Sequence, residues 1–224
     1  MTSDMGIVTA FATGAKSIKS KRGAATGLLS YSDFTLSKKG DTYRISEASV
    51  NRVFFGAGSD IETLTLAQYF CELAYLLYPA DGTSAEFLRL ILNSLHFLSE
   101  KKRPQKLIKA ITELRIAAIS GYAPNLIACD VCGKFEDDIL YFSLSEGCLY
   151  CKNCEKKGVV VPVFTDVLKA MRHIVYSDFE KIYSFELSEG STVILSDLTE
   201  KYITYQTEHN FKTLDFYKTL VGTV

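Results

Sequence analysis

The spacing of apolar and polar residues changes period along this chain. Near its start, GIVTAFA is a short β-branched and aromatic run. YSDFTLSKKGDTYRISEASV then alternates apolar with polar residues on both sides of Lys39-Gly40-Asp41, the pattern of a hairpin. Two hairpin strands and one more make a poor independent sheet. The segment 1–57 is therefore expected to be a partial β-barrel, or to be completed by something else.

From Ser59 the period becomes helical. Ile61, Leu64, Leu66, Phe70, Leu73, Leu76 and Leu77 fall mostly on one face of a helix that stops before Pro79-Ala80-Asp81-Gly82. Thr83-Ser84-Ala85-Glu86 fits a capping box for a second helix, with Phe87, Ile91, Leu95 and Leu98 as its buried stripe. A third starts near Pro104, carries Leu107, Ile108, Ile111, Leu114, Ala118 and Ile119 inward and ends at Gly121. Three such helices with short links should pack as a bundle. Farther on, Thr165 can cap a helix carrying Val167, Leu168, Met171, Ile174 and Val175, and Thr192 to Gln206 holds another stripe. The segment SDFEKIYSFELSEGST between them has no clear period. The expected fold is α+β, with a β region at 1–57 and a helical domain over 58–224 into which a cysteine-rich knot is inserted.

Composition adds little to this. With 25 Lys plus Arg against 26 Asp plus Glu, the net charge is −1, so a polyanion would have to be met by a local patch. No apolar run reaches the length of a bilayer span, and MTSDMG lacks the layout of a secretory signal, so a cytosolic protein is expected. In a reducing compartment, cysteines that cluster read as metal ligands before disulfides.

Five of the six cysteines do cluster. Cys129, Cys132, Cys151 and Cys154 give C-x2-C-x18-C-x2-C, two tight turns joined by a segment able to form a hairpin, the pattern of a zinc ribbon over about 127–160. Four thiolates close the coordination sphere, so one structural zinc per chain is expected to fold the segment and do no chemistry. Cys148 makes a second pattern with Cys151 and Cys154, C-x2-C-x2-C, which also occurs around iron–sulfur clusters. In the ribbon reading Cys148 is a spare thiol at the hairpin's end. The sixth, Cys71 in QYFCELAYLL, reads as a small core residue.

The sequence has no G-x-G-x-x-G, Walker or G-x-S-x-G motif, and nothing points to an enzyme. His96, His173 and His209 stand far apart, the first two within helical stripes at a core edge or surface. Lys16, Lys19, Lys21 and Arg22 lie within seven residues, spaced by small ones, and could grip phosphates or form a solvated loop.

The order of these pieces, GIVTAFATGAKSIKSK, a hairpin, helices ending ITELRIAAISGYAPNLIACDVCG, and EGCLYCKNC, resembles the bacterial DNA repair family RecO over nearly the whole chain. The resemblance implies an N-terminal OB-fold, a helical domain with a zinc ribbon, and binding to single- and double-stranded DNA. It also implies strand annealing and work with RecR and RecA on DNA coated by the single-stranded DNA-binding protein, in the cytoplasm at the nucleoid. By position it makes Lys16, Lys19, Lys21 and Arg22 DNA contacts, and places Arg115 near the contact with the acidic, apolar tail of the single-stranded DNA-binding protein. The family pattern usually has two strands ahead of the GIVTAFA-like one, which leaves this barrel incomplete. It commonly has Gly-Gly where this chain has Gly147-Cys148, which supports Cys148 as an extra residue. The competing reading is a zinc-ribbon module for protein–protein contact with no DNA activity of its own.

Overall fold

A computed structural model describes residues 1–14, 23–78 and 84–222. The hairpin forms where the alternation predicts: β2 (Ser30–Lys39) pairs antiparallel with β3 (Thr42–Val53), turning at Gly40 with φ +59°. The ladder steps from Tyr31/Arg52 to Ser32/Val50 and from Thr35/Glu47 to Leu36/Ile45, so β3 bulges at Asn51 and Ser46 while β2 runs evenly. The strand expected over GIVTAFA is realised only as β1 (Ala10–Phe11), parallel to β3 at Tyr43 and Arg44. Its β-branched residues favour extended backbone, but a strand is defined by its pairing and β3 meets this segment at two positions.

Among the described residues the sheet order is β1-β3-β2, an open remnant of an OB-like barrel. Phe34 lies opposite Ala48, and Leu36 opposite Ile45, forming an apolar face that closure would bury; instead Phe34 is 41% exposed. The sheet is fixed to the helices through a short 3-10 turn, Phe55–Gly58. There Gly56 lies so close to the end of the second helix that a Cβ would sit 2.2 Å from the Ser99 carbonyl oxygen. Beside it Arg52 donates to His96 Nδ1 at 2.9 Å.

The helical domain comprises α1 (Ile61–Leu77), α2 (Ser84–Glu100), α3 (Gln105–Ile119), α4 (Thr165–Tyr176), α5 (Glu189–Thr207) and α6 (Lys212–Leu220). Asp60 caps α1 by accepting from the Thr63 amide at 2.8 Å, and the Lys101 ammonium beside it holds its carboxyl well below the usual range. Thr83, the expected cap of α2, lies outside the described residues. Thr165 is the first residue of α4 rather than its cap, because the extended residue before the helix is Phe164, which has no side-chain acceptor. α5 begins three residues earlier than Thr192, on the Ser188 hydroxyl, and α6 lies beyond the last element the periodicity predicts.

α3 is the central helix. It packs against α1, α2, α4 and α5, and every residue from Leu107 to Leu114 is buried. One continuous core runs from Phe54 to Tyr217 and takes in Leu126, Leu140, Phe142 and Leu149 of the ribbon. Cys71, expected in this core, is exposed instead. It faces a cleft of about 650 Å³ between the sheet and α1 and α2, while enough protein crowds its thiol to push its pKa up.

Candidate metal centre and the surfaces around it

The cysteine segment folds as a four-stranded sheet of β4 (Asn125–Cys129), β5 (Ile139–Ser143), β6 (Cys148–Tyr150) and β7 (Val160–Phe164), in the order β4-β6-β5-β7. The expected hairpin is β5–β6, which pairs Tyr141 with Tyr150 and Phe142 with Leu149. It turns through Gly147 at φ +63°, where a Cβ would meet the Tyr202 hydroxyl at 2.9 Å. β4 touches β6 at Asn125/Cys148 and Cys129/Leu149, with an irregularity between them.

Each cysteine pair sits on a tight turn. In the first, the Gly133 amide donates to the Cys129 carbonyl at 2.9 Å and Gly133 takes φ +72°, a conformation that suits glycine. In the second, the Cys154 amide reaches the Cys151 carbonyl at 3.4 Å. The two turns bring the sulfurs of Cys129, Cys132, Cys151 and Cys154 within 4.8 Å of one another, with Cys132 Sγ 3.7 Å from Cys151 Sγ. A tetrahedral zinc with Zn–S bonds near 2.3 Å sets sulfurs roughly 3.8 Å apart, so these four could hold a metal ion.

Their protonation fits the same conclusion. Burial alone would raise Cys129, but the amides of Cys132, Cys151 and Val131 donate to its sulfur and bring it down to about 6. Cys151 is also lowered, first by the Asn153 amide, whereas Cys154 is pushed up to about 12 by giving its proton to the sulfurs of Cys151 and Cys132. Four sulfurs this close cannot all be anionic without a cation among them. Cys148 stands outside the cluster as the first residue of β6, buried beside Tyr150, and burial raises its pKa.

α4 grips the strand that leads into the first turn. Arg172 Nε donates to the Leu126 carbonyl at 2.7 Å, and its Nη2 donates to the carbonyls of Ile127 at 2.8 Å and Phe135 at 3.0 Å. Its guanidinium carbon lies 4.4 Å from the centre of the Phe135 ring. One turn on, the Tyr176 hydroxyl accepts from the Leu126 amide at 2.8 Å and donates to the Pro124 carbonyl at 3.2 Å.

The remaining candidates are dispersed. Lys16, Lys19, Lys21 and Arg22 lie outside the described residues. Arg115 is 12% exposed; its Nη1 donates to the Val175 carbonyl at 2.8 Å at the end of α4, and its Nη2 pairs with Glu86 at 3.0 Å. His173 Nε2 donates to the Lys181 carbonyl at 2.8 Å, which leaves Nδ1 to accept from the Ser177 hydroxyl at 3.1 Å, a structural assignment. No described helix is long and apolar enough to cross a membrane.

Comparison with known proteins covers both parts of the chain in order. Residues 1–54 match the family described as Recombination protein O N terminal, and residues 58–215 match Recombination protein O C terminal. A DNA repair protein RecO of Acetivibrio thermocellus is 33% identical over 216 residues, covering 96% of this chain and 86% of that protein. Another from Caldicellulosiruptor saccharolyticus is 26% identical over 217 residues, with 97% and 88% covered. A third, from Dehalococcoides mccartyi, is 29% identical over 199 residues, with 88% and 77% covered. With both halves matched and a relative this similar along almost its whole length, the chain belongs to the RecO family of DNA repair proteins.

Proposed function

We propose that this chain is a recombination mediator that binds single- and double-stranded DNA, anneals complementary strands, and acts with RecR to load RecA on DNA coated by the single-stranded DNA-binding protein. The observation that carries the reading is the family match in both halves, in order. Annealing makes and breaks no covalent bond. A protein that neutralises phosphates on two strands lowers their repulsion and lets pairing proceed, so the work is counterion release with no catalytic residue. The metal is proposed to be one zinc held by Cys129, Cys132, Cys151 and Cys154, which supports the fold when bound. The cytoplasm, at the nucleoid, is the proposed location.

Lys16, Lys19, Lys21 and Arg22 are the proposed phosphate contacts, with 1–57 as the DNA-facing unit and 58–224 as the helical one. On an open sheet the aromatic platform for bases is reduced, so binding by the chain alone should be weak and nearly sequence-independent, and should improve with RecR. Four single-strand phosphate contacts give a salt slope near −2.8, or about a 50-fold loss of affinity from 50 to 200 mM salt. Anisotropy titration of labelled single-stranded DNA at both salts is the test, with the chain in which all four residues are alanine beside it. A flat salt response would instead favour the protein–protein module, and tight binding retained by the variant would move the DNA site to the helical domain.

Arg115 is the proposed receptor for the carboxylate of the tail of the single-stranded DNA-binding protein. Glu86 already occupies its Nη2 and is half-exposed, so the tail would exchange with Glu86. Arg115→Ala should weaken tail-peptide binding by about tenfold or more, the worth of a charged hydrogen bond, and Glu86→Gln should strengthen it by removing the competitor. Unchanged anisotropy curves for both variants would exclude this site.

A further inference from the structure

We infer that Arg172 is the positioning residue of the metal centre: from α4 it fixes the backbone on both sides of the first cysteine turn and so presets Cys129 and Cys132 for the ion. This rests on the metal reading above. β4 is an edge strand that lies against β6 at its two ends only, so the backbone between Asn125 and Cys129 is left without a regular ladder. Side chains of α4 take the place of a strand there. Tyr176 satisfies the Leu126 amide, and Arg172 takes the carbonyls of Leu126 and Ile127 before the turn and of Phe135 after it. The span from Ile127 to Phe135 contains both cysteines of the first pair, and one planar guanidinium holds its two ends.

The chemistry requires a guanidinium. Three carbonyl oxygens call for several N–H groups on one side chain, and the guanidinium carbon also lies over the Phe135 ring. A lysine would offer a point charge to one or two of them. Loss of the ion requires the turn to open, and a turn held at both ends by one guanidinium opens less often than an unrestrained one, so the ion leaves more slowly. α4 joins the shared core through Val167, Leu168, Met171 and Ile174, so the restraint is anchored in the helical domain.

The test measures zinc release from the full-length, zinc-loaded chain into excess chromophoric chelator, with thermal unfolding followed by circular dichroism on the same samples. Arg172→Ala should release zinc about 10–100-fold faster, if the 10–100-fold loss of metal affinity that follows removal of groups orienting metal ligands falls on the dissociation step. Arg172→Lys should stay closer to alanine than to wild type. Phe135→Ala, which keeps the hydrogen bonds, should give a smaller acceleration and serves if Arg172→Ala fails to fold. Arg115→Ala is the control for helix packing: it removes hydrogen bonds to the carbonyls of Ile174, Val175 and Ser177 at the C-terminal end of α4, within about one turn of Arg172, and makes none to the cysteine turn itself. Wild-type release rates in both Arg172→Ala and Phe135→Ala would overturn the inference. So would an equal acceleration in Arg115→Ala, since loss of α4 packing would then explain it. Should wild type bind no zinc at all, the metal reading itself fails, an outcome distinct from zinc bound with unchanged release.

Discussion

Cys132→Ser should strip the chain of zinc and lower its stability by roughly 5 kcal/mol or more, while Cys148→Ser should keep one zinc per chain. Zinc contributes about 10–16 kcal/mol in isolated finger peptides, where its binding energy is the folding energy. A smaller figure is expected here because Leu126, Leu140, Phe142 and Leu149 share the helical core, so the ribbon strands keep part of their packing without the ion. Cys132 is the informative ligand to change because it is exposed, and its loss creates no core cavity. Cys148 is buried, so serine there should cost about 1 kcal/mol for an added polar group and leave the four sulfurs in place. Metal content by atomic emission and melting curves with and without chelator give the readout. Zinc retained by Cys132→Ser, or lost completely from Cys148→Ser, would require a different ligand set. Acid should also release the ion, because protons compete with the metal for each thiolate as pH falls.

The cysteine cluster is legible in the sequence because its geometry is local. Two residues between cysteines, and a glycine after the first pair, specify a turn whatever surrounds it. The hairpin and the first three helices are legible for a related reason, since one buried face per element leaves a period in the residues. What escapes the pattern depends on partners far along the chain. Arg172 sits in KAMRHIV as a polar break in an amphipathic helix, and its partners are backbone carbonyls, which leave no signature in residue type. Cys71 lies among the apolar residues of α1 yet faces the cleft, because the open sheet does not close over that side. The short β1 shows the same limit: β-branched residues favour extended backbone but do not say how many positions find a partner.

α3 hides the largest such effect, and Lys109→Met should reveal it. Lys109 and Glu113 are four apart and resemble a solvent-side ion pair, but α3 is enclosed by its neighbours and the two are 2% and 0% exposed. Lys109 Nζ lies 2.9 Å from Glu113 and 2.9 Å from Glu200 of α5, and donates to the Ser196 carbonyl at 3.3 Å. Glu113 accepts from the Tyr69 hydroxyl of α1 and the Thr199 hydroxyl of α5, each at 2.7 Å, and Lys218 of α6 reaches Glu200 at 2.8 Å. The ammonium thus joins α3 to α5, and through Glu113 and Glu200 the network extends to α1 and α6. Burial pushes the Glu113 carboxyl up, against Lys109 and Thr199; burial would also raise Glu200, but Lys109 and Lys218 bring it down. The two acids therefore act in opposite senses on stability. The contribution of Glu200 is lost as pH falls through its lowered pKa, whereas that of Glu113 is greatest in acid and declines as pH rises through its raised one. Methionine at 109 fills the volume but leaves Glu113 buried beside no cation, and breaking a buried pair from one side costs about 3–5 kcal/mol. For a chain of this length that is a fall in melting temperature of about 10 °C. Lys109→Met with Glu113→Gln removes the stranded charge and keeps an acceptor for Tyr69 or Thr199, so it should recover about half of the loss. A single variant within about 0.5 kcal/mol of wild type, the usual effect of a surface substitution, would show that the network adds nothing to stability. A double variant no better than the single would trace the loss to packing of the lysine stem and away from the uncompensated carboxylate.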